Sequence, residues 1–333
     1  MFESLNNISK LSIGLYQGAD NNIVDAQLSD IITQAIKFGV NYFDVAPNYR
    51  NTRSENILGK IIKRNLDIIV STKGGFVPFD FSNKNIDEEV YVNKNFISKG
   101  LFDKESFDYY YFQSFNTRYL DYELNNSLSR LNSKKIDLYY IHNPEYLLMK
   151  VGYIKFIEVM NNVCAWIRLK IEKKEIVNFG ISTWDGFFEN DSSKRLQLND
   201  FISISKKNKI FENFKIIQFP FNILKTDAFT KTTQIIENKN VSLIRAANYH
   251  NINCYISAPY GQGKINDIKL PDEINKTFYG KNNFQKALSF CMSVPYIKTI
   301  ILGTKQLNHL NDAIDVLNFD GHSESLFYSL FKK

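Results

Sequence analysis

The feature that most constrains this chain is a regular alternation of two kinds of segment along its 333 residues. Short runs rich in β-branched and aromatic residues occupy 11–16, 42–46, 67–73, 137–143, 176–183, 214–222, 253–259 and 299–304. Between or after them lie segments with helical spacing of apolar residues, at 24–38, 54–63, 119–131, 153–173, 198–207, 242–250, 284–293 and 307–317. In the third of these, Leu120, Leu124, Leu128 and Leu131 fall on one face of a helix. Strands covered on both faces read as continuous apolar runs, as Ile68-Ile69-Val70 and Thr299-Ile300-Ile301-Leu302 do. Eight strands, each followed by a helix, predict an α/β fold closed into a (β/α)8 TIM barrel, a single domain over 1–333. No G-x-G-x-x-G follows a strand, which argues against an open doubly wound sheet.

The rhythm breaks once, at an insertion over 76–118 after the third strand. About forty residues stand where roughly two to six are usual. The insertion carries the acidic run Asp87-Glu88-Glu89 and the aromatics Phe107, Tyr109, Tyr110, Tyr111 and Phe112. Loops that follow strands lie on the catalytic face of such a barrel. The insertion therefore either walls a substrate pocket or forms a helical decoration packing its own rings. The loop 186–197 after the fifth strand is expected to border the same pocket.

Charge and cysteine content narrow the partners. Lys plus Arg total 41 against 35 for Asp plus Glu, so a net charge of +6 is spread thinly and no nucleic-acid partner is expected. Cys164, Cys254 and Cys291 form no close pair, which predicts a reducing, cytoplasmic location without a disulfide framework. Residues 1–10 do not read as a secretion signal, and no apolar run reaches the roughly 18 residues of a membrane span. No metal site is expected, and the oligomeric state is open.

Four titratable residues stand out at the ends of consecutive strands. Asp44 lies inside Tyr42-Phe43-Asp44-Val45-Ala46, where a carboxylate among apolar neighbours is costly unless paired. Lys73 ends the third strand and can meet it from next door. Tyr49 follows the second strand, and His142 ends the fourth.

In that order, Asp44, Tyr49, Lys73 and His142 resemble the catalytic tetrad of the aldo-keto reductase superfamily. Gly39-Val40-Asn41-Tyr42-Phe43-Asp44, Ser54-Glu55 with Leu58-Gly59, Ile136-Asp137-Leu138-Tyr139, Phe179-Gly180-Ile181-Ser182 and Ile300-Ile301-Leu302-Gly303-Thr304 resemble family segments in the family's order. The resemblance spans residues 11–317, and His142-Asn143-Pro144-Glu145, 180–184 and Gln262-Gly263 resemble a divergent branch of reductase-like proteins.

The resemblance implies hydride transfer between NADPH, or alternatively NADH, and the carbonyl or alcohol of a small molecule or sugar. Tyr49 would be the general acid/base. A free phenol has a pKa near ~10, so Lys73 is expected to lower it by charge while Asp44 fixes the ammonium. A neutral His142 would orient the carbonyl, and such a donor lowers a barrier by about 3 kcal/mol.

For the cofactor, the resemblance assigns Ser182 and Gln218 to the nicotinamide carboxamide and Asp44 to the vicinity of its ribose. Thr183 replaces a usual Asn, and Ser257 replaces a stacking aromatic for which Tyr260 or Phe219 would substitute. Gly303, Thr304 and Lys305 precede a helix whose amides would hold a phosphate, with Lys305 adding charge for a 2′-phosphate. In the adenosine-binding helix, His309 replaces Gln or Arg, Asp312 replaces Glu, and Ala313 replaces Asn.

Arg50 and Arg53 carry two readings: positive charge at the pocket mouth selecting an anionic substrate, or solvated side chains with Arg53 pairing Glu55 and Ser54 capping a helix. Two rival functions remain. One is a nicotinamide-binding regulatory or partner protein without turnover, and the other a redox-neutral, epimerase-like biosynthetic enzyme.

Overall fold

A computed structural model describes residues 4–62, 67–319 and 321–331. Eight parallel strands close into a barrel in chain order. They are β1 (Leu11–Gly14), β2 (Tyr42–Asp44), β3 (Ile69–Gly74), β4 (Ile136–His142), β5 (Ile176–Ser182), β6 (Phe214–Pro220), β7 (Asn253–Ser257) and β8 (Ile297–Gly303), with β8 returning to pair with β1. Around them run α1 (Asn22–Lys37), α2 (Arg53–Ile61), α3 (Thr117–Arg130), α4 (Tyr153–Glu172), α5 (Leu198–Lys207), α6 (Leu243–Tyr249), α7 (Asn283–Met292) and α8 (Leu307–Leu317). Each coincides with an expected segment to within about two residues at most ends, the scatter usual for helix and strand termini. The expected end of the second helix, Lys63, lies outside the described residues.

Helix starts follow local chemistry. The side chains of Asn21, Asn116, Ser242 and Asn282 accept backbone N–H groups at the starts of α1, α3, α6 and α7. Close packing explains two glycines. A Cβ on Gly59 would sit 2.1 Å from the Arg130 carbonyl where α2 meets α3, and one on Gly180 would sit 2.4 Å from the Ile216 carbonyl between β5 and β6.

Two apolar clusters form. Outward strand residues pack on the helices in the larger one, which buries Leu120, Leu124 and Leu131 of the α3 stripe. The smaller fills the barrel with Tyr42, Ile69, Leu138, Tyr140, Ile216, Tyr255 and Ile301, and Leu5 and Ile8 join it from the segment preceding β1.

The insertion after β3 holds two helical turns, Glu88–Val92 and Asn93–Ile97, and a hairpin of Phe107–Asp108 with Gln113–Ser114. Phe96, Phe102 and Phe107 stack in sequence at 5.5 and 5.0 Å, and Tyr119 of α3 meets Phe96 and Phe102 edge-on. At about 1.5–3 kcal/mol per fully buried aromatic ring, such contacts stabilise a segment with no long helix. Most of the insertion is thus a decoration with its own aromatic core. Two of its rings behave differently: Phe76 lines the barrel mouth, and Tyr111 stacks on Tyr146, which lines it too.

Loop 186–197 does not border that mouth. Phe187 and Phe188 are buried, and Thr233 and Gln234 donate to the Phe187 carbonyl at 2.7 and 3.1 Å, turning the loop aside. Trp184, just before it, lines the cavity instead. No described helix is long and apolar enough to cross a membrane, and the three cysteines are free and buried.

Candidate active site

Side chains alternate along a strand with a period of two, and this places the site. Inward-facing Tyr42, Ser71 and Tyr140 form one layer of the barrel. Two residues further along each strand, Asp44, Lys73 and His142 form the layer above, at the C-terminal ends. Register aligns them: Asp44 lies opposite Ser71, Lys73 opposite Tyr140, His142 opposite Ser182, and Ser182 opposite Gln218.

Lys73 Nζ donates to Asp44 Oδ2 at 2.6 Å and to the Val45 carbonyl at 2.9 Å, with the lysine 1% exposed. Asp44 Oδ1 accepts from Ser71 Oγ at 2.7 Å and from Gln218 Nε2 at 3.2 Å. Ser182 Oγ donates to Gln218 Oε1 at 2.6 Å. The ammonium lies 4.5 Å from the centre of the Tyr49 ring, and His142 stands edge-to-face with that ring at 6.0 Å. The structure therefore brings all four tetrad residues together.

Tyr49 owes its place to an unusual backbone. Arg50, Asn51 and Thr52, which follow it, all have positive φ, at 50°, 47° and 71°. Three consecutive non-glycine residues in this region are costly and cluster at functional sites. Hydrogen bonds from Tyr49 N to the Ala46 carbonyl and from Thr52 N to the Pro47 carbonyl close the bend.

Burial dominates the protonation states. Desolvation, followed by the Asp44 charge, holds the Tyr49 phenol well above its ordinary value. The expected lowering by Lys73 does not prevail. Lys73 itself is lowered by burial, against the pull of Asp44. Burial, then the Lys73 charge, keeps His142 well below 6.5, so its imidazole is neutral at pH 7.

Above the tetrad opens a cavity of about 810 Å³. Asp44, Tyr49, His142, Ser182, Gln218, Gly303 and His309 line it, whereas Thr304, Lys305 and Asp312 do not. Thr304 Oγ1 accepts from Gln306 N, and Asp312 accepts from Asn282 and Gln285 of α7. His309 packs on Phe284 at 5.0 Å, and Phe284 on Tyr260 at the same distance. Tyr260 lines the cavity, while Phe219 is buried against Phe188 and does not.

The cavity walls include aromatics that sequence reasoning passed over: Tyr16, Phe76, Tyr146 and Trp184. Phe76 meets His142 at 4.7 Å, and Tyr146 stacks face-to-face on Tyr111 of the insertion at 3.7 Å. Tyr146 and Trp184 follow the ends of β4 and β5 within four residues, and that proximity is the signal that finds them.

Arg50 and Arg53 take neither expected role. Arg50 is 5% exposed, donates to the carbonyls of Ala19 and Asn21, and pairs with Asp25 at 2.6 Å. Arg53 pairs with Asp25 too, while Glu55 pairs with Arg130. Ser54 Oγ donates to the Leu15 carbonyl rather than capping α2. Both arginines thus tie α1 to α2.

Solved structures with this architecture include an aldo-keto reductase from Bacillus halodurans, AKR11C1. In its holo form it shares 16% identity at a TM-score of 0.66, over 97% of this chain and 91% of that one. An aldo-keto reductase from Klebsiella pneumoniae, solved with NADPH, shares 13% identity at a TM-score of 0.60 with the same coverage. At such identities the likeness concerns the fold. No curated protein matches the chain. The sequence profile described as "Aldo/keto reductase family" matches residues 10–327, nearly the whole length, and the chain belongs to that family.

Proposed function

We propose that the protein is an NAD(P)H-dependent oxidoreductase acting on the carbonyl or alcohol of a small neutral molecule or sugar, with Tyr49 as general acid/base. The observation that carries this reading is the buried Lys73–Asp44 pair set under Tyr49, with neutral His142 on its other side and a cavity above.

Several features of the site fit a dinucleotide. Asn48 Oδ1 is buried at the cavity without a partner. The first turn of α8 has no side-chain cap, which leaves amide donors for a phosphate. Lys305 has no ion-pair partner among the described residues. Asp44, Ser182 and Gln218 would hold the nicotinamide end, Gly303, Thr304 and Lys305 the phosphates, and His309 with Asp312 the adenosine end. Lys305 favours NADPH over NADH. When bound, NAD(P)H supplies the hydride.

The chain's own residues handle the proton. Tyr49, protonated at neutral pH, donates to the oxygen of the reduced carbonyl. Lys73, held by Asp44, offsets the negative charge left on the phenol. Neutral His142 donates a hydrogen bond to the same oxygen and orients it. Tyr16, Phe76, Tyr146 and Trp184 supply apolar ring faces, and no Lys or Arg lines the cavity among the described residues. That wall suits neutral substrates, not anions. The free cysteines fit a cytoplasmic location.

Titrating the purified protein with NADPH and NADH, followed by tryptophan fluorescence and calorimetry beside a carbonyl panel, tests the reading. Binding with turnover that Lys73→Met abolishes supports it. Tight binding without turnover favours a regulatory protein, product formation without net NAD(P)H change favours a redox-neutral enzyme, and no binding overturns cofactor use.

A further inference from the structure

Beneath the tetrad, the barrel interior holds a hydrogen-bonded chain of hydroxyls. Tyr42 Oη donates to Ser71 Oγ at 2.8 Å, Ser71 Oγ donates to Asp44 Oδ1 at 2.7 Å, and Tyr140 Oη stands 3.2 Å from Tyr42 Oη. A hydroxyl carries one proton. That of Ser71 goes to the carboxylate, so its oxygen accepts from Tyr42. The Tyr42 proton is then committed, which makes Tyr140 the donor to Tyr42. All three hydroxyls therefore donate in the same sense, toward Asp44. The chain begins at Tyr140, since neighbouring Tyr255, edge-on to Tyr42 at 5.4 Å, leaves its hydroxyl without a partner and does not extend it.

These three side chains are 0% exposed and share the interior with isoleucines and leucines. Phenylalanine and alanine would fill the same space without desolvating a hydroxyl, so packing alone does not call for the oxygens. Aligned hydrogen bonds in a low-dielectric interior polarise one another and strengthen the last of them, here the bond to an ionised carboxylate.

We propose that Tyr140, Tyr42 and Ser71 are positioning residues for the reaction. Their chain occupies Oδ1 of Asp44, together with Gln218, and so presents Oδ2 to Lys73 and fixes the ammonium under Tyr49. This inference rests on the reductase reading for its effect on turnover, but its effect on Lys73 is independent of it.

The test compares full-length wild type with Ser71→Ala, Ser71→Thr and Tyr42→Phe. Loss of the direct bond in Ser71→Ala lowers kcat about tenfold with KM within about twofold, and Ser71→Thr, which keeps the hydroxyl, restores it. Tyr42→Phe, a change that preserves shape, acts in the same direction to a lesser degree. The Lys73 ammonium resonance in 15N-edited NMR, assigned by its loss in Lys73→Met, shifts or broadens in Ser71→Ala and returns in Ser71→Thr. An unchanged resonance and unchanged kcat in folded Ser71→Ala and Tyr42→Phe overturn the proposal. So does a parallel loss of kcat and melting temperature that threonine fails to rescue. Absence of turnover in the wild type sinks the reductase reading, while the ammonium resonance still decides the chain of hydroxyls.

Discussion

Lys73 Nζ meets Asp44 Oδ2 at 2.6 Å, with the lysine 1% and the aspartate 3% exposed. Removing one partner of a buried pair typically costs about 3–5 kcal/mol, because the other charge is stranded. Lys73→Met is expected to lower thermal stability, and Lys73→Met with Asp44→Asn together to recover part of it by stranding no charge. Neither variant recovers turnover, and kcat falls at least about 100-fold in both. Thermal denaturation and steady-state rates on the same preparations check both statements. Equal melting temperatures for the single and double variants would show that the pair is not what holds this layer.

His142 gives stability a pH dependence of known sign. The folded state holds it neutral well below 6.5, while the unfolded chain takes up a proton near that value. Stability is therefore intact above about pH 6.5 and is lost as pH falls below it, with a slope of up to about 1.4 kcal/mol per pH unit from this one group. His142→Asn should flatten that slope in chemical denaturation at pH 5 to 7. An identical slope in the variant would mean that the imidazole protonates freely in the fold.

Glu145 acts with the opposite sign. Its carboxyl is buried at the start of a short helix, Glu145–Val151, accepts the Trp184 N–H at 2.8 Å, and is raised by burial from 4.5 to about 7. Between those values the native state holds a proton that the unfolded chain has released. Stability is thus lost as pH rises through about 7, by about 3 kcal/mol at full ionisation. Glu145→Gln keeps an acceptor for Trp184 and removes this penalty. Its melting temperature relative to wild type should rise from pH 5 to pH 8, and a constant difference would refute the assignment. Glu123, also raised to about 7, contributes the same slope to both proteins and cancels.

Much of this architecture is legible because it is periodic. Alternation along β2, β3 and β4 puts Asp44, Lys73 and His142 on one face before any contact is known, and an aspartate between Phe43 and Val45 already demands a partner. What is not legible lies in irregular backbone. Arg50 follows Tyr49 directly, yet three positive-φ residues turn its side chain toward α1 and away from the cavity. Phe76 and Tyr111 come from an insertion whose rings carry no period, so which of its aromatics pack inward and which reach the barrel mouth depends on the hairpin tied to β3. The Tyr49 phenol is a balance of burial against nearby charge, and adjacency in sequence measures neither.

The placement of the two arginines predicts substrate selectivity. Arg53→Gln is expected to leave the ratio of kcat/KM for anionic and neutral carbonyls unchanged, because its guanidinium engages Asp25 and Asn22. Arg50→Met should instead unfold the protein at lower temperature, since it leaves Asp25 with Arg53 alone and frees the carbonyls of Ala19 and Asn21. A selective loss of anionic substrates in Arg53→Gln would return the residue to the pocket mouth.

Lys305 sits half-buried after β8, two residues before an α8 whose first amides lack a side-chain cap. A helix N-terminus attracts any phosphate through its dipole and N–H groups, and so serves NADH and NADPH alike. A point charge beside it discriminates only if it reaches the additional 2′-phosphate. Lys305→Ala should therefore weaken NADPH about tenfold in calorimetric titration and leave NADH within about twofold, with the NADPH difference shrinking as salt is raised. Equal weakening of both dinucleotides would place the lysine on the shared pyrophosphate, and no change in either would leave it a solvated surface charge with discrimination residing in His309 and the α8 face.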